Sequence, residues 1–132
     1  LAAVGRLGPR VRVVASTDAS MRVGASLVDA SGAGVVREGE TGVLVVANGS
    51  ATRTEKAPGF LDPRAEAFDA ELGDALRGDL RTLDADGLLA GELWAETAGL
   101  GALPALVEAD VPVEMVYDDA PFGVQYWVAV WD

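Results

Sequence analysis

Asn48, Ser50, Thr52, Arg53 and Lys56 crowd the stretch from Ala47 to Asp69, which opens directly from the apolar run Gly42 to Val46. An amide and two hydroxyls offer hydrogen bonds, and Gly49 permits a tight turn. Arg53 and Lys56 bring positive charge, and a guanidinium can grip a carboxylate at two points. This set can bind a small anion or carboxylate. The plainer reading is a hydrogen-bonded loop in which Arg53 pairs with Glu55 or Asp62.

Carboxylates are the other chemistry-bearing residues. Asp18, Asp62, Asp69, Asp118 and Asp119 are candidates for Mg²⁺ or Ca²⁺, but no loop of regularly spaced ligands gathers them. They read better as solvated charge. Glu92 and Glu96 stand four apart, on one helix face, where they bind a cation or simply repel. Gly123 reads as structural, and the Gly32 to Gly34 pair lacks the strand and helix that would make it a phosphate cradle. No catalytic residue and no metal ligand is expected here.

Composition narrows the field further. The chain has no cysteine and no histidine. That excludes disulfides, thiolate sites, a Ser-His-Asp triad and a two-His-one-carboxylate iron site built from these residues alone. A formal net charge of -11 argues against nucleic acid and anionic membrane as partners, because both would be repelled. No apolar run reaches the roughly 20 residues of a membrane span. No basic-then-apolar leader occurs, so a cytoplasmic location is expected.

These residues must be positioned by an α/β framework. Val11 to Ala15 predicts a strand, Met21 to Ala30 a helix with Val23, Leu27 and Val28 on its apolar side, and Val43 to Ala47 a central strand that is apolar on both faces. Asp62-Pro63 predicts a capped helix start, and Ala65, Phe68, Leu72 and Leu76 give that helix one apolar face to about Gly78. More helix is expected from Leu80 to Ala98, partly buried at Trp94, and a Pro-limited piece from Leu100 to Ala109. Val113 to Tyr117 and Phe122 to Trp131 predict two closing strands, the last covered on both faces. With half the residues apolar, a core of ordinary size is affordable. The expectation is a single α/β domain over residues 1–132, a layered and mostly parallel sheet flanked by helices.

The apolar strand, its polar turn, Ala57-Pro58-Gly59-Phe60, a helix containing Phe68-Asp69, and a closing strand opened by Ala120-Pro121-Phe122-Gly123-Val124-Gln125-Tyr126 follow in order. In these features the chain resembles the C-terminal part of the LigB-like superfamily, the class III extradiol ring-cleavage dioxygenases and their relatives. The resemblance implies a LigB-like fold whose N-terminal part is absent from this chain. The family holds a non-haem Fe(II) with two His and a Glu, and uses a further His as acid/base. Its His ligands belong to the N-terminal half. The acid/base position falls on Arg53, and the Glu position falls on Leu100, with Glu96 the nearest acid.

What the resemblance implies is therefore a domain without catalysis of its own and with a degenerate active site. It would bind a small anionic or aromatic ligand and carry no cofactor. Fe(II) enters only if an upstream segment supplies His ligands, in which case the chain is part of an extradiol-type dioxygenase. A third expectation is a structural or interaction module. A homo-oligomer, or pairing with the missing N-terminal segment, would use an open sheet edge next to Val11 or Val113.

Overall fold

The computed structural model describes residues 2–83 and 88–131. The chain is a mixed α/β protein that divides into two compact units, Leu1–Ala47 and Asn48–Asp132.

The first unit runs α1 (Ala2–Gly5), β1 (Arg10–Ala15), α2 (Asp18–Ala30), β2 (Gly34–Val35) and β3 (Gly42–Val46). Its three strands are parallel in the order β2-β1-β3. Val11 and Val13 project from β1 into a core shared with Val4 and Val28, against which Leu7, Leu27, Leu44 and Val46 pack. Full burial stabilises each such side chain by about 1.5–3 kcal/mol. Thr17 starts α2, its side chain accepting the Ser20 N–H at 3.1 Å. Gly24 lets α2 approach the sheet. A Cβ there would lie 2.6 Å from Val13 Cγ1.

Three expectations fail in this unit. β1, not β3, is the central strand, and every residue of β3 is only half-buried. An apolar run cannot tell a central strand from an edge strand with one side chain layer covered. Val11 therefore offers no open edge, because β2 and β3 flank it on both sides. Val23, expected on the apolar face of the helix, is exposed.

The second unit contains α3 (Ala65–Arg77), a 3₁₀ turn (Leu80–Thr82), α4 (Leu88–Glu92), a second 3₁₀ turn (Ala98–Ala102), α5 (Leu103–Leu106), β4 (Val113–Asp119) and β5 (Tyr126–Trp131). β4 and β5 form an antiparallel pair of their own and do not extend the parallel sheet. This corrects the mostly parallel layer. The short link through Ala120 to Gln125 allows a hairpin, whereas a parallel return would need a crossover of a dozen or more residues. The pairing slips at Val116, between Met115 and Tyr117. β5 is not covered on both faces, since Tyr126 and Val128 are exposed.

The apolar face of α3 is as expected, with Ala65, Leu72 and Leu76 buried, but the helix starts later than Asp62-Pro63 suggests. Asp62 instead turns onto its neighbour, accepting from the Arg64 backbone N–H and guanidinium. The further helix expected from Leu80 to Ala98 is present as short pieces, the 3₁₀ turn at Leu80–Thr82 and α4; residues 84–87 lie outside the described residues. Two residues past the end of α4, Trp94 takes the left-handed backbone with φ 58°. The Ala95 N–H returns to the Ala90 carbonyl at 2.8 Å, closing a stop that usually employs glycine. Trp94 is consequently exposed rather than buried.

Candidate functional site

Residues 48–53 are held by backbone hydrogen bonds between two other segments of the second unit. On one side Asn48 exchanges backbone hydrogen bonds with Glu96, and the Ala51 N–H donates to the Leu93 carbonyl at 2.9 Å. On the other side Gly49 and Gln125 are joined at 2.9 Å, Gln125 and Ser50 at 2.9 Å, and Arg53 and Gly123 at 3.0 Å. The polar stretch is thus an ordered strip of backbone rather than a free loop.

Asp69 of α3 meets this strip from within. It is 2% exposed. Its Oδ1 accepts the Ser50 N–H at 2.8 Å, and its Oδ2 accepts the Ser50 hydroxyl at 2.6 Å. The Arg53 guanidinium stands 3.3 Å from the same Oδ2. A buried carboxylate is tolerated because these donors replace its water shell. Arg53 Nη1 also donates to Gln125 Oε1 at 2.8 Å. Gln125 Nε2 in turn donates to Asp118 Oδ1 at 2.7 Å, and Arg77 pairs with the other oxygen of Asp118. One chain of polar contacts runs from Ser50 through Asp69, Arg53, Gln125 and Asp118 to Arg77.

The five expected ligand-binding residues separate in this arrangement. Ser50 and Thr52 are sealed from solvent. Ser50 is spent on Asp69, and the Thr52 hydroxyl is buried with no hydrogen-bond partner among the described residues. Asn48 is half-buried and donates to the Gly49 carbonyl. Lys56 is exposed, without an ion pair among the described residues. Arg53 alone of the five lines a cleft, of about 290 Å³, together with Glu66, Gly73, Arg77, Asp118 and Gln125 among others. Its partners are Asp69 and Gln125 rather than Glu55 or Asp62.

Five of the seven carboxylates weighed as cation ligands have partners within the protein. Asp118 and Asp69 belong to the polar chain, Asp119 accepts the Ala120 N–H, and Asp62 and Glu92 both hold Arg64. No group of three or more acids among the described residues is placed to hold a metal ion. Leu100, to which the resemblance assigns the family's Glu ligand, is buried.

Gln125, Arg77 and Trp127 were not singled out as site residues by sequence, and Asp69 was weighed only as a cation ligand. Gln125 and Asp69 lie within the quoted motifs, so the signal was present. Their roles depend on which atoms meet across α3 and β5, and that is not written in spacing.

Arg64, by hydrogen bonds from its side chain and its backbone N–H, holds the Asp62 carboxyl down to about 2, against an ordinary 3.8. The Arg64 guanidinium is correspondingly raised, by Asp62 first and Glu92 second. A depressed carboxyl contributes stability above its ordinary value and loses it as pH falls towards 2. Carboxyl ¹³C titration is expected to place the Asp62 midpoint at about 2. In Arg64→Gln it should return towards 3.8. An unmoved midpoint would remove Arg64 as the cause.

Comparison with known proteins returns no matching family model, no matching curated protein and no matching solved structure. No helix among the described residues is long and apolar enough to cross a membrane.

Proposed function

We propose that this chain is a LigB-like domain that has lost ring-cleavage chemistry and retains the cleft beside Arg53 as a site for a small ligand bearing a negative group. The observation that carries the reading is the state of Arg53. It occupies the turn to which the resemblance assigns the acid/base histidine. A guanidinium stays protonated at any physiological pH, so it cannot take a proton from a substrate hydroxyl. Its Nη1 is moreover engaged by Asp69 and Gln125. The position that would move protons has become part of a fixed charge network, at the edge of a cleft that Arg53 lines.

Oxygen uptake tests this directly. The protein as its host makes it, supplied with Fe(II) and a panel of catechols, should consume no oxygen beyond the Fe(II)-only control. Catechol-dependent uptake with stoichiometric bound iron would overturn the reading in favour of a dioxygenase completed by ligands outside this chain.

A further inference from the structure

Asn48 is followed directly by Gly49. An asparagine before a glycine is prone to close on itself, because a residue without Cβ lets its backbone nitrogen reach the neighbouring side chain carbonyl. The Gly49 nitrogen attacks Asn48 Cγ, and the side chain amide leaves as ammonia, taking the Gly49 amide proton with it. A succinimide remains. Water opens that ring at either carbonyl, giving aspartate or, with the main chain rerouted through the side chain, isoaspartate. The sum is one water consumed and one ammonia released, with no change of oxidation state.

The fold holds this reaction back. The peptide unit that must rotate is bonded at both ends: its N–H, on Gly49, donates to the Gln125 carbonyl at 2.9 Å, and its C=O, on Asn48, accepts the Glu96 N–H at 3.1 Å. Asn48 Nδ2, the leaving group, donates to the Gly49 carbonyl at 2.9 Å. Packing also bars a bulkier residue after the asparagine. A Cβ at position 49 would lie 2.6 Å from Asp69 Oδ1 and 2.8 Å from Gln125 Cβ. The strip therefore requires the glycine that makes Asn48 labile, and its hydrogen bonds keep the attacking nitrogen engaged.

We propose that Asn48-Gly49 is a latent deamidation site, latched by the backbone pairing of the strip, and that isoaspartate formed there after local opening leaves the strip permanently unlatched. Isoaspartate adds one carbon to the main chain between the groups bonded to Glu96 and to Gln125, so both pairings cannot close again in the same register. Ser50 and Arg53 follow on the same strip and hold Asp69 and Gln125. The change thus reaches the cleft through Arg53, whether or not a ligand binds there. It is one-way, and its rate is set by how often the strip opens.

Peptide mapping follows deamidation of Asn48 in the intact protein at neutral pH, folded and in urea above the unfolding midpoint. Opening that frees the Gly49 N–H for attack also frees it for hydrogen exchange. The folded protein should therefore deamidate more slowly than the unfolded one by a factor matching, within about tenfold, the exchange protection of the Gly49 amide. Asp69→Asn should raise the native rate by about tenfold and leave the rate in urea unchanged. Ser50→Ala, which removes one bond to Asp69, serves in the same way if Asp69→Asn does not fold. The isoaspartyl product, formed in urea and returned to buffer, should lose protection at the Gly49 and Gln125 amides while the β1 amides keep theirs. Asn48→Asp, with the charge but not the extra carbon, should keep both. Equal rates in the folded protein and in urea, no deamidation in either, or a mismatch with amide exchange beyond that range would overturn the latch. An isoaspartyl product with both amides still protected would overturn the permanent unlatching.

Discussion

Asp69→Ala is expected to cost about 3–5 kcal/mol of folding stability, the usual result of removing one partner from a buried ion pair. The size follows from what is left behind. Asp69 receives the Ser50 N–H, the Ser50 hydroxyl and Arg53, and Ser50 is wholly buried. Alanine would leave two buried donors unsatisfied and Arg53, 26% exposed, without its counter-charge. Asp69→Asn should lose less, because its amide oxygen can still accept one bond. Urea unfolding at neutral pH measures both. A loss below about 1 kcal/mol for Asp69→Ala would mean that Ser50 and Arg53 find other partners, and that the polar chain does not organise the strip.

Gly49→Ala is the second large effect, and its cause is space rather than charge. A Cβ at residue 49 would lie 2.6 Å from Asp69 Oδ1, 2.8 Å from Gln125 Cβ and 2.8 Å from the Trp127 ring. None of these can yield easily. Asp69 is held by Ser50, and the Gly49 N–H is itself bonded to the Gln125 carbonyl. Overpacking of this kind typically costs about 1–3 kcal/mol, and the triple contact puts Gly49→Ala at the upper end of that range. The two substitutions should not add. In the Asp69→Ala background one of the three clashes is gone, so the extra cost of Gly49→Ala should fall. A double-mutant cycle measures this coupling, and strict additivity would show that the methyl and the carboxylate do not compete for the same space.

Both predictions concern a place where the residues were visible in advance and their relation was not. Gly49 was legible as a turn-former, but the structure gives it a different reason to be glycine, the close approach of Asp69, Gln125 and Trp127. Ser50 and Thr52 read as ligand-binding because hydroxyls after a strand usually face a crevice. Here they point inward and are buried. Arg53 was legible as the charged member of the site, yet its nearest acids in sequence are not its partners. Asp69 is a helix away, and Gln125 lies next to β5.

Sequence by itself determined the mixed α/β class, the strands β1 and β3, the apolar face of α3 and the absence of histidine and cysteine chemistry from this chain. Those follow from residue type and from periods of a few residues, which local geometry alone reads out. Only the tertiary structure decided the order β2-β1-β3, the separate β4-β5 hairpin, the exposed Trp94 just after α4 and the polar chain from Ser50 to Arg77. Strand order and charge partners depend on contacts between segments distant in sequence, and one apolar run fits a central or an edge strand equally well. The packing of the Arg77 and Trp127 side chains against Gly73 is of the same kind. It exists only once α3 and β5 are packed together, because no sequence spacing relates a helix glycine to an indole more than fifty residues later.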